Sequence, residues 1–330
     1  MSHRPNLDTS STRLRITAAL LAALLGSPFA WPAAQAAAPQ VKTQAPGFHR
    51  VMVGDIEVTA LLDGVVDLQP KQILTDTSAQ DVDRLLKRSY QADTVPNSVN
   101  AYLVNTGSQL ILVDTGAANF FGPTLGRLLI NLKAAGYAPE QVDHVLVTHM
   151  HIDHIGGLMA QGQPVFPNAV VHADKREADY WLDLANRDKA SKVNQGFFEG
   201  AIAQVGPYVQ RGRFAAFDRV TEIVPGVTAV PAAGHTPGHT FYSIESKGQK
   251  LMLWGDVMHF AAVQFPQPTA TVVWDTDTHA AAAQRKRAYA EAARDGYLVA
   301  GAHLPFPGIG RLRAEKGGYV FVPIVYQSPN

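Results

Sequence analysis

Between residues 51 and 68, apolar and polar positions alternate on either side of Gly54-Asp55, a period of two that predicts two short strands joined by a tight turn. A helix is predicted over 78–90. Two β-rich runs, 102–104 and 110–113, flank Asn105-Thr106-Gly107-Ser108, a turn composition that reads as a hairpin, and the second run ends in Asp114-Thr115-Gly116. Leu125, Leu128, Leu129 and Leu132 recur at helical spacing, predicting a helix over 123–135 with Gly136 as its stop. Residues 142–147 predict a buried strand whose end opens into Thr148-His149-Met150-His151-Ile152-Asp153-His154, placing that polar cluster on a loop at a sheet edge. The second half repeats the pattern, with strands predicted at 227–231, 241–245 and 250–254, a helix over 278–294 and a strand at 298–300. Gln109–Asp114 is loosely echoed by Gln249–Asp256, each a hairpin strand leading to an aspartate. Two related β-rich halves, each covered by helices, are expected.

Composition narrows the class. The chain of 330 residues is 46% hydrophobic, enough to bury a substantial core. Its formal net charge is zero and it has no long basic run, so nucleic acid is not expected as a partner. Arg13 and Arg15 precede an apolar run over 16–25, and Ala34-Gln35-Ala36 offers small residues for cleavage. These features predict a signal peptide over 1–36, a leader over 37–48, one domain over 49–330, and a periplasmic or secreted product. The apolar run is shorter than the ~20 residues a membrane span requires. There is no cysteine, so neither a disulfide nor a thiolate ligand is available, and any metal must be held by imidazole and carboxylate.

His149, His151, Asp153 and His154 put three imidazoles and one carboxylate within six residues, followed by Gly156-Gly157. A lone histidine is usually solvated or hydrogen-bonded, but this density is hard to place as surface decoration. Nitrogen and carboxylate donors suit zinc and similar divalent ions, and neighbouring residues on a loop can face two different centres.

Residues 148–157 resemble the signature of the metallo-β-lactamase superfamily, and further motifs follow in the family's order. Gly234-His235-Thr236-Pro237-Gly238-His239 is similar to its third-histidine motif, in which the first histidine is the ligand and the second, His239, is structural. Asp256 stands where the family places a carboxylate shared by two metals, and His303 in Gly301-Ala302-His303 matches its last ligand. The resemblance implies one metal site of His149, His151 and His235, a second of Asp153, His154 and His303, and Asp256 between them. It also implies Asp114 as a residue that orients a ligand, an αββα sandwich of two mixed β-sheets flanked by helices, and a homodimer. Two divalent ions are implied, zinc first, with manganese, cobalt or iron also suited. Water held between them would be hydroxide near neutral pH, with Asp153 or Asp256 accepting or returning a proton.

Beyond the ligands, stretches such as Phe121-Gly122-Pro123-Thr124-Leu125-Gly126-Arg127 and Phe306-Pro307-Gly308-Ile309-Gly310 resemble the methyl parathion hydrolase group. That group lines its pocket with aromatics matching Phe121, Trp181 and Phe197. Its organophosphate-hydrolysing members carry arginine, leucine, threonine and leucine where this chain has Ile73, His259, Val272 and Trp274, and are one residue longer over 189–196. These departures resemble the related lactonases and aryl esterases. The expected substrate is a bulky lactone or aryl ester, with organophosphate triesters and N-acyl homoserine lactones as alternatives. β-Lactams rank lower, because the cysteine ligand of many β-lactamases is missing. A redox role lacks an attached flavin domain, and a non-enzymatic, metal-stabilised binding module is the reading from another class.

Overall fold

The computed structural model describes residues 38–326; the predicted signal peptide over 1–36 lies outside them. Residues 38–46 have no regular structure, and the chain from Ala45 onward forms a compact unit of its own.

Fourteen of its strands make two seven-stranded sheets, each in chain order, and two small two-stranded sheets lie beside them. The first contains β1 (Phe48–Val53), β2 (Ile56–Leu68), β3 (Val95–Asn105), β4 (Leu110–Val113), β5 (His144–Leu146), β6 (Val170–Asp174) and β7 (Phe214–Phe217). The second contains β8 (Thr221–Val224), β9 (Val227–Pro231), β10 (Thr240–Ser246), β11 (Gln249–Leu253), β12 (Leu298–Ala300), β13 (Ile309–Glu315) and β14 (Gly318–Pro323). Sheet one is antiparallel from β1 to β4 and parallel from β4 to β7. Sheet two is antiparallel except where β11 runs parallel to β12.

Alternation along the strands explains the layers. Ile111 and Val113 of β4 point inward with Val58, Tyr102 and Val104, meeting Leu251, Leu253, Tyr242 and Ile244 of sheet two. Leu110 and Leu112 point outward and are covered by α2 (Leu128–Ala134), α3 (Lys175–Trp181) and α4 (Phe197–Gln210), whose Leu132, Trp181, Phe198 and Tyr208 are buried there. On the far side, Met252, Trp254 and Val299 pack on Ala288, Tyr289 and Ala292 of α5 (Thr278–Asp295). The result is the αββα sandwich of two mixed sheets. A shorter helix, α1 (Ala79–Arg88), opens with Ser78 accepting from the Asp81 backbone N–H at 3.0 Å.

The echo between Asp114 and Asp256 is topological. β4 and β11 are each the return strand of a hairpin, and each then acquires a parallel neighbour through a helical crossover. The expected helix over 123–135 begins only at Leu128. A bulge between Leu62 and Gly64 turns the buried Asp63 towards this segment, where its carboxylate accepts from the backbone N–H groups of Ala117, Gly126 and Leu128. Those bonds hold 117–127 as an irregular loop.

Candidate metal centre

The parallel strands end at one edge of the sandwich, and the chemistry-bearing residues leave from those ends. Asp114 follows β4, Thr148 and His149 follow β5, Asp256 follows β11 and His303 follows β12. His235 follows β9, which runs in the same direction as β11 because both are antiparallel to β10.

His149, His151, His235 and Asp256 offer ligand atoms that lie within 4.8 Å of one another, and so do Asp153, His154, Asp256 and His303. The two groups share Asp256. Their split follows from a local change of backbone: His149 and His151 precede a one-turn helix, Ile152–Ile155, which carries Asp153 and His154. The sequence expectation was a loop throughout, and the helical turn is what sends Asp153 and His154 to a different place from His149 and His151. Gly157 permits it, because a Cβ there would stand 2.2 Å from the Thr115 carbonyl oxygen.

Buried hydrogen-bonding groups fix the rings. His154 Nδ1 lies 2.8 Å from Asp114 Oδ2, and the same carboxylate accepts from the Thr148 hydroxyl and backbone N–H, both at 2.8 Å. His235 Nδ1 lies 2.7 Å from Asp275 Oδ1. His303 Nδ1 donates to the Ser98 carbonyl at 2.9 Å. With those nitrogens engaged, the opposite ones face the shared space. His149 Nε2, His151 Nε2, His154 Nε2 and Asp256 Oδ1 are buried without hydrogen-bond partners. Buried polar atoms are nearly always paired, and such a set of orphaned nitrogen and oxygen donors fits divalent metal ions.

Charge divides the groups. Burial holds His149 and His151 well below the ordinary histidine value, so both are neutral and free to donate a lone pair. His154 and His303 are also buried, but the Asp256 and Asp153 carboxylates outweigh that cost; His154 is raised well above its ordinary value and His303 to about 10. Asp153 and Asp256 are held well below the carboxylate range despite burial, with His154 the strongest opposing charge. His239, pushed down to about 3 by burial, accepts the Asp256 backbone N–H on its Nε2 at 3.0 Å. It stands behind the shared carboxylate and outside both ligand groups, as the family motif implied.

Of the expected pocket residues, Trp181 and Phe197 pack on the His151 ring, with centroids 5.2 and 4.4 Å away. His259 stacks on His303 at 5.0 Å, has Nε2 3.1 Å from Asp256 Oδ2, and is flanked by Trp274 at 5.4 Å. Trp181 and Val272 are fully buried, so they back the wall. Ile73 and Trp274 are half-buried against the cluster that contains Val272. Phe121 stays out on the irregular loop, 44% exposed, and has no ring stacked on it among the described residues.

The family model of the metallo-beta-lactamase superfamily matches residues 94–303, a span that includes both ligand groups. The chain belongs to the metallo-beta-lactamase superfamily. Among solved structures of this fold, it is similar to AbOPH, a hydrolase in the beta lactamase superfamily, with 39% identity and a TM-score of 0.82, covering 87% of this chain and 100% of the other. It is also similar to AidC, a dizinc quorum-quenching lactonase in complex with the product N-hexanoyl-L-homoserine, at 27% identity and a TM-score of 0.79, covering 86% and 99%. Curated superfamily relatives include an N-acyl homoserine lactonase of Bacillus cereus, 28% identical over 46% of this chain and 60% of the relative. A probable metallo-hydrolase of Mycobacterium tuberculosis is 27% identical over 48% and 56%. The chain thus spans little more than half the length of these curated relatives. Probable metallo-hydrolases and lactonases are among its relatives.

Sequence reasoning did not find Asp275, which holds His235, or the buried Arg285, which donates to the Val257 and Ala270 carbonyl oxygens at 2.6 Å and so ties the Asp256 turn to the Val272–Trp274 wall. Neither lies in a motif. Burial is what gives Arg285 its role, since a fully buried guanidinium needs several acceptors, and burial at that position of α5 has no local sign in the sequence.

Proposed function

We propose that this chain hydrolyses lactones or aryl esters at a centre of two divalent metal ions, zinc first among them. The observation that carries the reading is the pair of ligand groups meeting at Asp256 beside an aromatic wall. Bound there, two divalent ions would supply an activated water near neutral pH and polarise a carbonyl oxygen. The protein's own residues do the rest. Asp114, Asp275 and the Ser98 carbonyl keep the rings aimed inward; Trp181 and Phe197 shield the His151 side from water. Asp153, whose side chain is 20% exposed, is the ligand-group carboxylate open to the pocket, and it accepts or returns a proton at Oδ.

His259 and Trp274 support a planar ester or lactone over a tetrahedral phosphotriester. Their rings crowd the His303 side, where organophosphate-hydrolysing members of the resembled group carry leucine. The likeness to AidC over most of both chains favours N-acyl homoserine lactones as the second reading. Initial rates of the zinc-loaded protein on dihydrocoumarin, phenyl acetate, N-hexanoyl homoserine lactone and methyl paraoxon test the proposal. Fastest turnover of a lactone or aryl ester, lost in His151→Ala and Asp256→Ala, is expected. Dominant paraoxon turnover, or inactivity on all four with metal bound, would overturn it. We also read residues 1–36 as an export signal, so that the mature protein begins near Ala37 outside the cytoplasm; N-terminal sequencing of the periplasmic fraction tests this.

A further inference from the structure

Glu177 is the third residue of α3, is fully buried, and belongs to neither ligand group. Its Oε1 accepts the backbone N–H of Met150 at 2.8 Å, and its Oε2 accepts the backbone N–H of Gly238 at 2.8 Å. Met150 lies between His149 and His151, on the loop after β5 of sheet one. Gly238 lies between His235 and His239, on the loop after β9 of sheet two. One carboxylate therefore spans two ligand loops that the chain delivers from different sheets. The approach is close: a Cβ on Gly238 would stand 2.3 Å from the Glu177 backbone nitrogen. Four residues on, Trp181 of the same helix packs on the His151 ring.

Burying a carboxylate is costly, and an apolar side chain of similar size would fill the same space without that cost. Only an acceptor with two oxygens can satisfy both N–H groups at once. We propose that Glu177 is a positioning residue that sets the spacing of His149, His151 and His235, and so the metal affinity of that pocket. The inference rests on the metal-binding reading of the site and is independent of which substrate is turned over.

The test is metal binding without substrate. Glu177→Gln puts an amide donor against one of the two backbone N–H groups. It is expected to weaken one of two metal equivalents by about 10–100-fold in a competition titration, to change the visible spectrum of bound cobalt, and to leave the other equivalent at its original affinity. Glu177→Asp keeps both oxygens and should recover part of the loss. In the unaltered metal-free protein, labelled with 15N-methionine and 15N-glycine, the Met150 and Gly238 amides should exchange slowly with solvent. A Gln variant that melts earlier but binds both equivalents with unchanged affinity and spectrum would reduce Glu177 to a purely structural role and overturn the proposal. Should that variant fail to fold, amide exchange decides: protection supports the bridge and rapid exchange overturns it. Failure of the unaltered protein to bind metal would instead sink the metal reading on which the inference rests.

Discussion

The two pockets that meet at Asp256 are built from similar residues but carry different charge. His149, His151 and His235 bring three imidazoles to the shared Asp256, and burial keeps His149 and His151 neutral. Asp153, His154 and His303 form a pocket in which two carboxylates hold two imidazoles protonated. Metal ligands must be deprotonated, so His149 and His151 are ready for a cation while His154 and His303 must release protons to bind one. The same donor types, divided two ways, predict that the first pocket loads before the second.

The largest change should come from removing what the pockets share. Asp256→Ala is expected to lose both metals and to lower kcat by about a thousandfold or more, read by elemental analysis and initial rates. Next, His151→Ala and His303→Ala should each lose about one metal equivalent, from different pockets; loss of both in each variant would show that the pockets are not separable. Smaller effects are expected from the orienting carboxylates. Asp275→Asn should weaken the first pocket and Asp114→Asn the second, each by about 10–100-fold in metal affinity. The subtlest contrast is with pH. Because the folded-state values of His154 and His303 are raised, their protons stay on through neutral pH and must be displaced by the second metal. Affinity for that equivalent should rise with pH by about tenfold per unit for each proton released, while the first changes less between pH 6 and 8. Parallel pH profiles for both would break the comparison.

Much of this site could be read from the sequence because its ligands cluster. His149 to His154 lie within one short stretch, and His235, Asp256 and His303 fall in recognisable phrases at strand ends. The strands were equally legible as short apolar runs, since β4 and the end of β11 are buried on both faces, with alternate residues entering different cores. What escaped depends on contacts distant in sequence. Asp63 reaches residues 63 and 65 positions away, holding Gly126 and Leu128 so that the helix begins only at Leu128. Asp275 meets His235 across 40 positions, and Glu177 reaches Met150 and Gly238 across 27 and 61. A single acidic residue in an ordinary setting carries no local sign of such a role; its meaning comes from burial and partners.

Anomalous diffraction at the zinc edge, from crystals of zinc-loaded protein, tests the two-pocket account most directly. Two peaks about 3.5–4 Å apart are predicted, one among His149, His151 and His235 and the other among Asp153, His154 and His303, with Asp256 between them. A single peak, or zinc held by other residues, would contradict it.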